Sequence, residues 1–469
     1  MILKEEIDLK SKELNISTAN IQRDYLFGWL LFYIFTKSDL KNEIFLKGGN
    51  ALRKGYFVNT RFSGDLDFGT PNDIQIETLK QEINNALVYI SEQAGIVFVY
   101  DQNKFKEKFQ EYNETRWEVV EVKIYFKDFY GNTDHIILKI SLDITKFDKP
   151  YLDIQSKALL HPYSDADLVK CEIKCSQLEE ILATKLKCLL QRERPTDLFD
   201  YIYSLYLNKD LEINRSEVLS VFLKKTIFHK NPTIAKNILL KLPFEYIKAL
   251  WMKTIVCSKE SWIEIEDAIS LFSTNITELF SDYPDQSYQD RHFFPPEMRN
   301  AIFKAGRDQT LLKIVYDGEE RLVEPYSLKF QQKKDGEENE YLNAFKVSGG
   351  ASEPGIKKFL PFKMELTENT DTKFSPQYEI ELCKAGEYPE NKLLYDPSKQ
   401  KYTKTRTPKN IFGVQKPKRV RNYGPSNIYK CSNCGKRFIR KSQDGQLKMH
   451  KSRNGSYCYG YGIYQGVKY

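Results

Sequence analysis

The stretch from Phe45 to Gly69, FLKGGNALRKGYFVNTRFSGDLDFG, constrains this chain more than any other. A short apolar run (Ile44, Phe45, Leu46) ends at Lys47. Gly48-Gly49 follow, and Asn50 to Tyr56 reads as helical. A glycine pair lets backbone N–H groups approach an anion closely, and a nearby helix start favours negative charge. Asp65 and Asp67 alternate with Leu66 and Phe68. In a strand, that spacing puts both carboxylates on one face and both apolar side chains on the other. Paired carboxylates on a rigid strand suit a divalent metal that also holds a triphosphate. A Gly-Gly or an Asp-x-Asp is common alone; the two within one short βαβ-like unit are far more specific.

The order Lys47-Gly48-Gly49-Asn50-Ala51-Leu52, then Arg61-Phe62-Ser63-Gly64-Asp65-Leu66-Asp67-Phe68, resembles the AbiEii/AbiGii-type nucleotidyltransferases of type IV toxin–antitoxin and abortive-infection systems. That family usually has Thr or Ser at Asn50 and Glu at Gly64. Asn50 still has the chemistry to cap a helix and donate to a phosphate.

Two later blocks extend the pattern. Segments Ile96–Tyr100, Trp117–Phe126 and Ile136–Ile144 read as strands, the last two joined through Tyr130-Gly131-Asn132-Thr133. Lys139, Ser141 and Asp143 share one face of the last strand. The resemblance implies Asp143 as third carboxylate beside Asp65 and Asp67; the residues alone also allow an exposed strand-end Asp. In CEIKCSQLEEILATKLKCLLQRERPTDLFDYIYSLY (171–206), Leu178, Ile181, Leu182, Leu186 and Leu189 mark one apolar helix face. Lys185 and Arg192 project alike two turns apart, and Pro195 opens a second helix carrying Asp197 and Asp200. Glu180, Ala183, Lys185, Leu186, Arg192, Asp197, Leu198 and Asp200 match the family's third motif, with Thr196 where Arg is usual. A lysine facing the metal site can neutralise phosphate charge; a surface lysine with its stem along the helix is the alternative.

With 469 residues the chain has room for two to four domains, and 41% hydrophobic residues suffice for packed cores. FGWLLFYIF (27–35) is too short to span a bilayer and reads as a buried helix. The charged start MILKEEIDLKSKEL is unlike a signal peptide, so no membrane partner and a cytoplasmic location are expected. Cys171, Cys175, Cys188, Cys257 and Cys383 read as free buried thiols. Helical patterns fill 207–285. Further on, TLLKIVYDGEERLVEPYSL (310–328) is a hairpin turning at Asp317-Gly318. Together with Tyr341, Leu342 and Ala344 it resembles a WYL domain, an Sm-like small β-barrel, with Glu340 where Trp is usual.

Net charge is only +7, but Pro397 to Gln443 holds no Asp or Glu against fourteen Lys and Arg. That asymmetry fits a polyanion partner or a solvated linker. Cys431-Ser-Asn-Cys434-Gly, with His450 and Cys458 beyond, offers four N/S ligands for tetrahedral structural Zn²⁺. Phe438, Tyr457, Tyr459, Tyr461 and Tyr464 interleave with base, as in surfaces that stack on single-stranded nucleic acid.

The expected fold is therefore an α/β (α+β) polymerase-β-like nucleotidyltransferase core with a helical C-terminal cap, then a small β-barrel and a zinc finger tail. The expected division is 1–285 nucleotidyltransferase with cap, 286–385 WYL-like domain, 386–428 basic linker and 429–469 zinc finger. The resemblance implies transfer of an NMP from an NTP to an acceptor, tRNA or other RNA at its 3′ end, with growth arrest or phage defence as the outcome and a cognate antitoxin as partner. It implies catalytic roles for Asp65, Asp67, Asp143, Lys185 and Asp200, with Asp65, Asp67 and Asp143 holding Mg²⁺. Nucleotide binding falls to Lys47, Gly48, Gly49, Asn50, Arg61, Ser63, Arg192 and Asp197. Two other readings stay open: a ligand- or nucleic-acid-sensing regulator with a degenerate transferase domain, and transfer of the NMP to a protein hydroxyl.

Overall fold

The computed structural model describes residues 2–112, 115–130, 137–207, 211–283, 291–332, 337–378, 380–382, 426–440, 447, 449–452 and 456–468. The chain divides into two compact units, Met1–Thr405 and Arg406–Tyr469.

The first unit opens with α1 (Lys4–Leu14) and α2 (Thr18–Thr36). The aromatic-rich α2 is buried on nearly every side, with Tyr25, Leu26, Phe27, Leu30 and Ile34 in the core. No described helix is long and apolar enough to cross a membrane. Then come β1 (Phe45–Lys47), the single-turn α3 (Gly48–Ala51), β2 (Asp65–Gly69), α4 (Ile76–Ala94), β3 (Lys104–Tyr112), β4 (Thr115–Lys127), β5 (Ile137–Thr145), β6 (Gln155–Ala158) and β7 (Glu172–Cys175). The strands form one mixed sheet in the order β3-β4-β5-β2-β1-β7-β6.

Alternation decides which face of this sheet is core. Leu66, Phe68, Val120, Val122, Ile124, Ile140 and Leu142 are fully buried and belong to the same core as the apolar faces of α2 and α4. Asp65, Asp67, Ser141 and Asp143 sit between them in sequence and face the other way.

The apolar run Ile96–Tyr100, expected as a strand, makes only an isolated bridge, Phe98 with Phe126, before a tight turn at Tyr100–Gln102. The strand that lengthens the sheet is β3, in the charged segment that follows. The helix after the glycine pair starts two residues earlier than expected, at Gly48, and passes into a π-turn over Leu52–Tyr56. Residues 131–136 of the expected β4–β5 turn lie outside the described residues.

Helices α5 (Leu178–Arg192), α6 (Pro195–Ile202), α7 (Arg215–Lys224), α8 (Pro232–Leu240), α9 (Phe244–Thr254) and α10 (Ile265–Leu279) follow, their apolar faces continuing the first core. Next come α11 (Pro296–Asp308), which the β character of this region hid, and β8 (Thr310–Tyr316), β9 (Glu319–Gln332), β10 (Glu338–Gly349), β11 (Gly355–Phe359) and β12 (Met364–Lys373). The β8–β9 hairpin turns at Asp317 and Gly318, with φ of 52° and 77°, the doubly left-handed turn that matches strand twist.

The expected barrel does not close. The five strands run β11-β10-β9-β8-β12, which leaves β11 and β12 as edges. A barrel needs an unbroken ring of strand pairs; here α11 instead packs its Ile302 and Phe303 into the sheet's own core. Glu340, which stands where the resemblance has Trp, pairs with that helix. It is buried, accepts two hydrogen bonds of 2.7 Å from Arg299 of α11 and one of 3.0 Å from Phe294 N. An ion pair thus fixes the helix onto the sheet.

Residues 383–425, with Cys383 and most of the basic segment, lie outside the described residues. The described part of the second unit has β13 (Ser426–Cys431), β14 (Arg437–Arg440), β15 (His450–Lys451), β16 (Tyr457–Cys458) and β17 (Gly462–Lys468), paired β14-β13-β17 and β15-β16.

Candidate active site

The carboxylates meet through strand register. β2 and β5 run parallel with Asp67 opposite Asp143 and Asp65 opposite Ser141. Lys47 of β1 lies opposite Asp67 on its other side, and Glu121 of β4 lies opposite Asp143. One row across the sheet therefore reads Lys47, Asp67, Asp143, Glu121, with Asp65 one step along β2.

The glycine pair is shaped by these side chains. Gly48 has φ +72°, and a Cβ there would collide with the Asp67 carboxylate. A Cβ on Gly49 would stand 2.8 Å from Arg61 Nη2 and 2.9 Å from Ser63 Oγ. Ser63 Oγ donates to Asp65 Oδ1 at 3.1 Å. The Asn50 amide donates to the main-chain oxygen of Asp65, while its buried Oδ1 has no hydrogen-bond partner among the described residues. Lys47 Nζ is held by Asp148 and, at 3.0 Å, by Thr145 Oγ1.

The trio is electrostatically unsatisfied. Burial, then the charges of Asp65 and Asp143, raise Asp67 to about 6 against the pull of Lys47 and Lys185. Burial, Asp65 and Glu121 likewise raise Asp143. Strand register sets the three carboxylates side by side on one face of the sheet, with Asp67 against Gly48, and carboxylate oxygens are the hard ligands that suit a hard divalent cation such as Mg²⁺.

Behind the trio lies a buried chain of alternating charge. Arg61 grips Asp200 with two bonds of 2.7 Å. Lys185 Nζ is 2.7 Å from Asp200 and 3.2 Å from Asp197. Arg192 grips Asp197 with two further bonds of 2.7 Å. Burial lowers Lys185, but Asp200 and Asp197 outweigh it and keep it above its usual value. Burial raises Asp197 and Asp200, yet their cations win: Asp197 falls to about 2 and Asp200 drops as well.

Lys185 and Asp200 are thus enclosed and paired with each other rather than open to a substrate. Arg192, its side chain 35% exposed, is the cation of this chain that reaches outward. Arg61 connects both groups, since the charges of Asp200, Asp197 and Asp65 offset its burial.

Glu121 and Asp148 escaped the sequence reading. Glu121 was signalled by the alternation of β4, where it faces as Asp143 does; Asp148 follows β5 in a turn and carried no signal.

In the second unit Cys431, Cys434, His450 and Cys458 place one ligand atom each within 4.8 Å of one another. Cys434 Sγ is 3.3 Å from His450 Nε2, and Cys431 Sγ is 3.6 Å from Cys458 Sγ. A tetrahedron with metal–sulfur bonds of about 2.3 Å has edges of about 3.8 Å, so these four atoms fit zinc. Gly435, at φ +69°, makes the knuckle turn, and a Cβ on Gly460 would meet Cys431 Sγ at 2.5 Å. Cys171, Cys175, Cys188 and Cys257 are free thiols as expected, but only Cys175 is buried and the other three are half-buried.

The family model described as "Nucleotidyl transferase AbiEii toxin, Type IV TA system" matches residues 29–322. That span contains the trio and the buried charge chain and stops short of the Cys/His cluster. No curated protein matches the chain. Among solved structures, MenT4, the nucleotidyltransferase toxin Rv2826c from Mycobacterium tuberculosis H37Rv, is 14% identical over 60% of this chain and 90% of its own. The TM-score is 0.34.

Proposed function

This chain belongs to the AbiEii nucleotidyl transferase toxins of type IV toxin–antitoxin systems and is a nucleotidyltransferase; from that premise we propose that it transfers an NMP from an NTP to a terminal hydroxyl of RNA, tRNA included. The observation that carries the site is the row Lys47, Asp67, Asp143 with Asp65 beside it.

Asp65, Asp67 and Asp143 would hold Mg²⁺, which supplies charge neutralisation for the triphosphate and the leaving pyrophosphate. The main chain at Gly48 and Gly49 and the hydroxyl of Ser63 cradle the phosphates, while the buried Asn50 amide, donating to the Asp65 main-chain oxygen, holds β2 in place beside them. Arg192, the outward-reaching cation, neutralises triphosphate charge. Arg61, Lys185, Asp197 and Asp200 position it. Their buried pairing supports a positioning role for Asp200 and sets Lys185 back from direct contact with phosphate. The acceptor hydroxyl attacks the α-phosphorus, its proton passes to the Asp143 carboxylate, and the bond to pyrophosphate breaks.

We further propose that the Cys431, Cys434, His450, Cys458 set binds structural Zn²⁺, that a cognate antitoxin restrains the enzyme, and that its unrestrained action stops growth or aborts phage infection. The test is transfer of label from α-labelled NTPs onto total cellular RNA and protein. Label that RNase removes, absent in an Asp65→Ala/Asp67→Ala variant, supports the proposal. Label that survives RNase and yields to protease moves the acceptor to protein.

A further inference from the structure

The face of the large sheet that bears the carboxylates continues past them over β5, β4 and β3, and there it turns basic. Lys139 lies on β5, Lys123 and Lys127 on β4, and Lys104, Lys106 and Lys108 on β3. Register and alternation place all six on the carboxylate face. Lys123 is opposite Ser141, Lys104 is opposite Lys123, and Lys106 is opposite Glu121. The other face of the same strands is the buried core of Val120, Val122, Ile124 and Ile140.

Glu121 is the acidic residue among them, and Lys123 at 3.0 Å and Lys108 at 3.5 Å offset it. Lys104, Lys106, Lys108 and Lys139 are exposed. Successive β3 lysines stand about 7 Å apart, and Lys106 lies two strands, about 10 Å, from Asp143. Lysines on an edge strand also discourage strand-to-strand association. That accounts for β3 but not for Lys123 and Lys139, which are on interior strands.

Resting on the transfer reading above, we propose that this lysine face is the docking track for the single-stranded 3′ end of the acceptor RNA. The sugar–phosphate backbone runs over β3 and β4, with Tyr125, on the same face opposite Lys139, as a ring for a base to stack on. The terminal hydroxyl then arrives at Asp143. Two features favour RNA over an acidic protein segment. The track leads into the carboxylates without leaving the sheet face, and its charges are lysines at regular spacing, which match a phosphate backbone.

The test uses the full chain and an RNA hairpin with an unpaired 3′ end. Lysine-acetylation footprinting with this RNA should protect Lys104, Lys106 and Lys139, and poly-glutamate should not. The variant Lys104→Glu/Lys106→Glu/Lys139→Glu should raise KM for RNA by roughly tenfold or more, leave KM for the NTP unchanged, and flatten the log–log salt dependence of RNA affinity by about 2. Unprotected lysines on RNA-bound protein overturn the track, and so does protection by poly-glutamate alone, which assigns the face to an acidic polypeptide. If the wild type transfers no label, the transfer reading fails by itself, and the footprint still decides the track.

Discussion

Replacing Asp67 by Asn should make the metal-free protein more stable while abolishing transfer. Asp67 is raised from 3.8 to about 6 by burial and by the charges of Asp65 and Asp143. A raised carboxyl costs nothing below its unfolded value. It destabilises progressively as pH rises from about 4, and fully above about 6. Two units correspond to about 3 kcal/mol at roughly 1.4 kcal/mol per unit, and water screening at a partly exposed carboxylate brings the expected relief to about 1–2 kcal/mol. For a unit this large that is a Tm rise of roughly 2–6 °C. The assay is thermal unfolding in chelator at pH 4 and pH 8, then with Mg²⁺. The variant should exceed wild type at pH 8 and match it at pH 4. Mg²⁺ should stabilise wild type, by about 2.7 kcal/mol at a hundred times its Kd, and leave the variant unmoved. A variant less stable at both pH values, or stabilised by Mg²⁺ as wild type is, would refute the claim that the trio is a repulsive, metal-completed cluster.

Asp200→Asn should behave oppositely. It strips the partner from buried Arg61 and Lys185 and should cost about 3–5 kcal/mol, read by chemical denaturation. Because Asp197 is held down at about 2, the stability it contributes is present above about 4 and fades as pH falls through 2; acid unfolding of Asp197→Asn should lack that component. Gly48→Ala should lower transfer at least about a hundredfold by displacing the Asp67 carboxylate, whereas Gly64→Ala, with nothing within 4 Å of the new methyl, should transfer like wild type. Full-length protein should carry one zinc by metal analysis, and Cys458→Ser should lose it.

The faces of the two acidic strands were legible because strand alternation is local, whereas Asp143 as partner of Asp65 and Asp67 was implied by the family resemblance. Asp-Leu-Asp-Phe and Lys-Ile-Ser-Leu-Asp each separate polar from apolar faces within a few residues, and the β2–β5 register puts Asp67 beside Asp143. The Asp317-Gly318 hairpin was legible for the same reason. β3 was not: at its start Lys104, Lys106 and Lys108 lie on one face while Glu107 shares the other with Phe105, so no uniformly apolar face gave a signal. The pairing of Arg61 with Asp200 joins residues 139 apart in sequence. Helix periodicity told which side Lys185 and Asp200 project from, but only the packed fold shows that they meet each other. The open sheet was hidden likewise, because Glu340 reads as a surface residue until Arg299 of α11 is seen against it.

The most direct test of the central claim is a crystal structure with Mn²⁺ and a non-hydrolysable NTP. Anomalous density about 2.2 Å from oxygens of Asp65, Asp67 and Asp143, with the triphosphate over Gly48-Gly49, is the predicted result. Metal bound elsewhere, or a triphosphate seated away from these carboxylates, would contradict it.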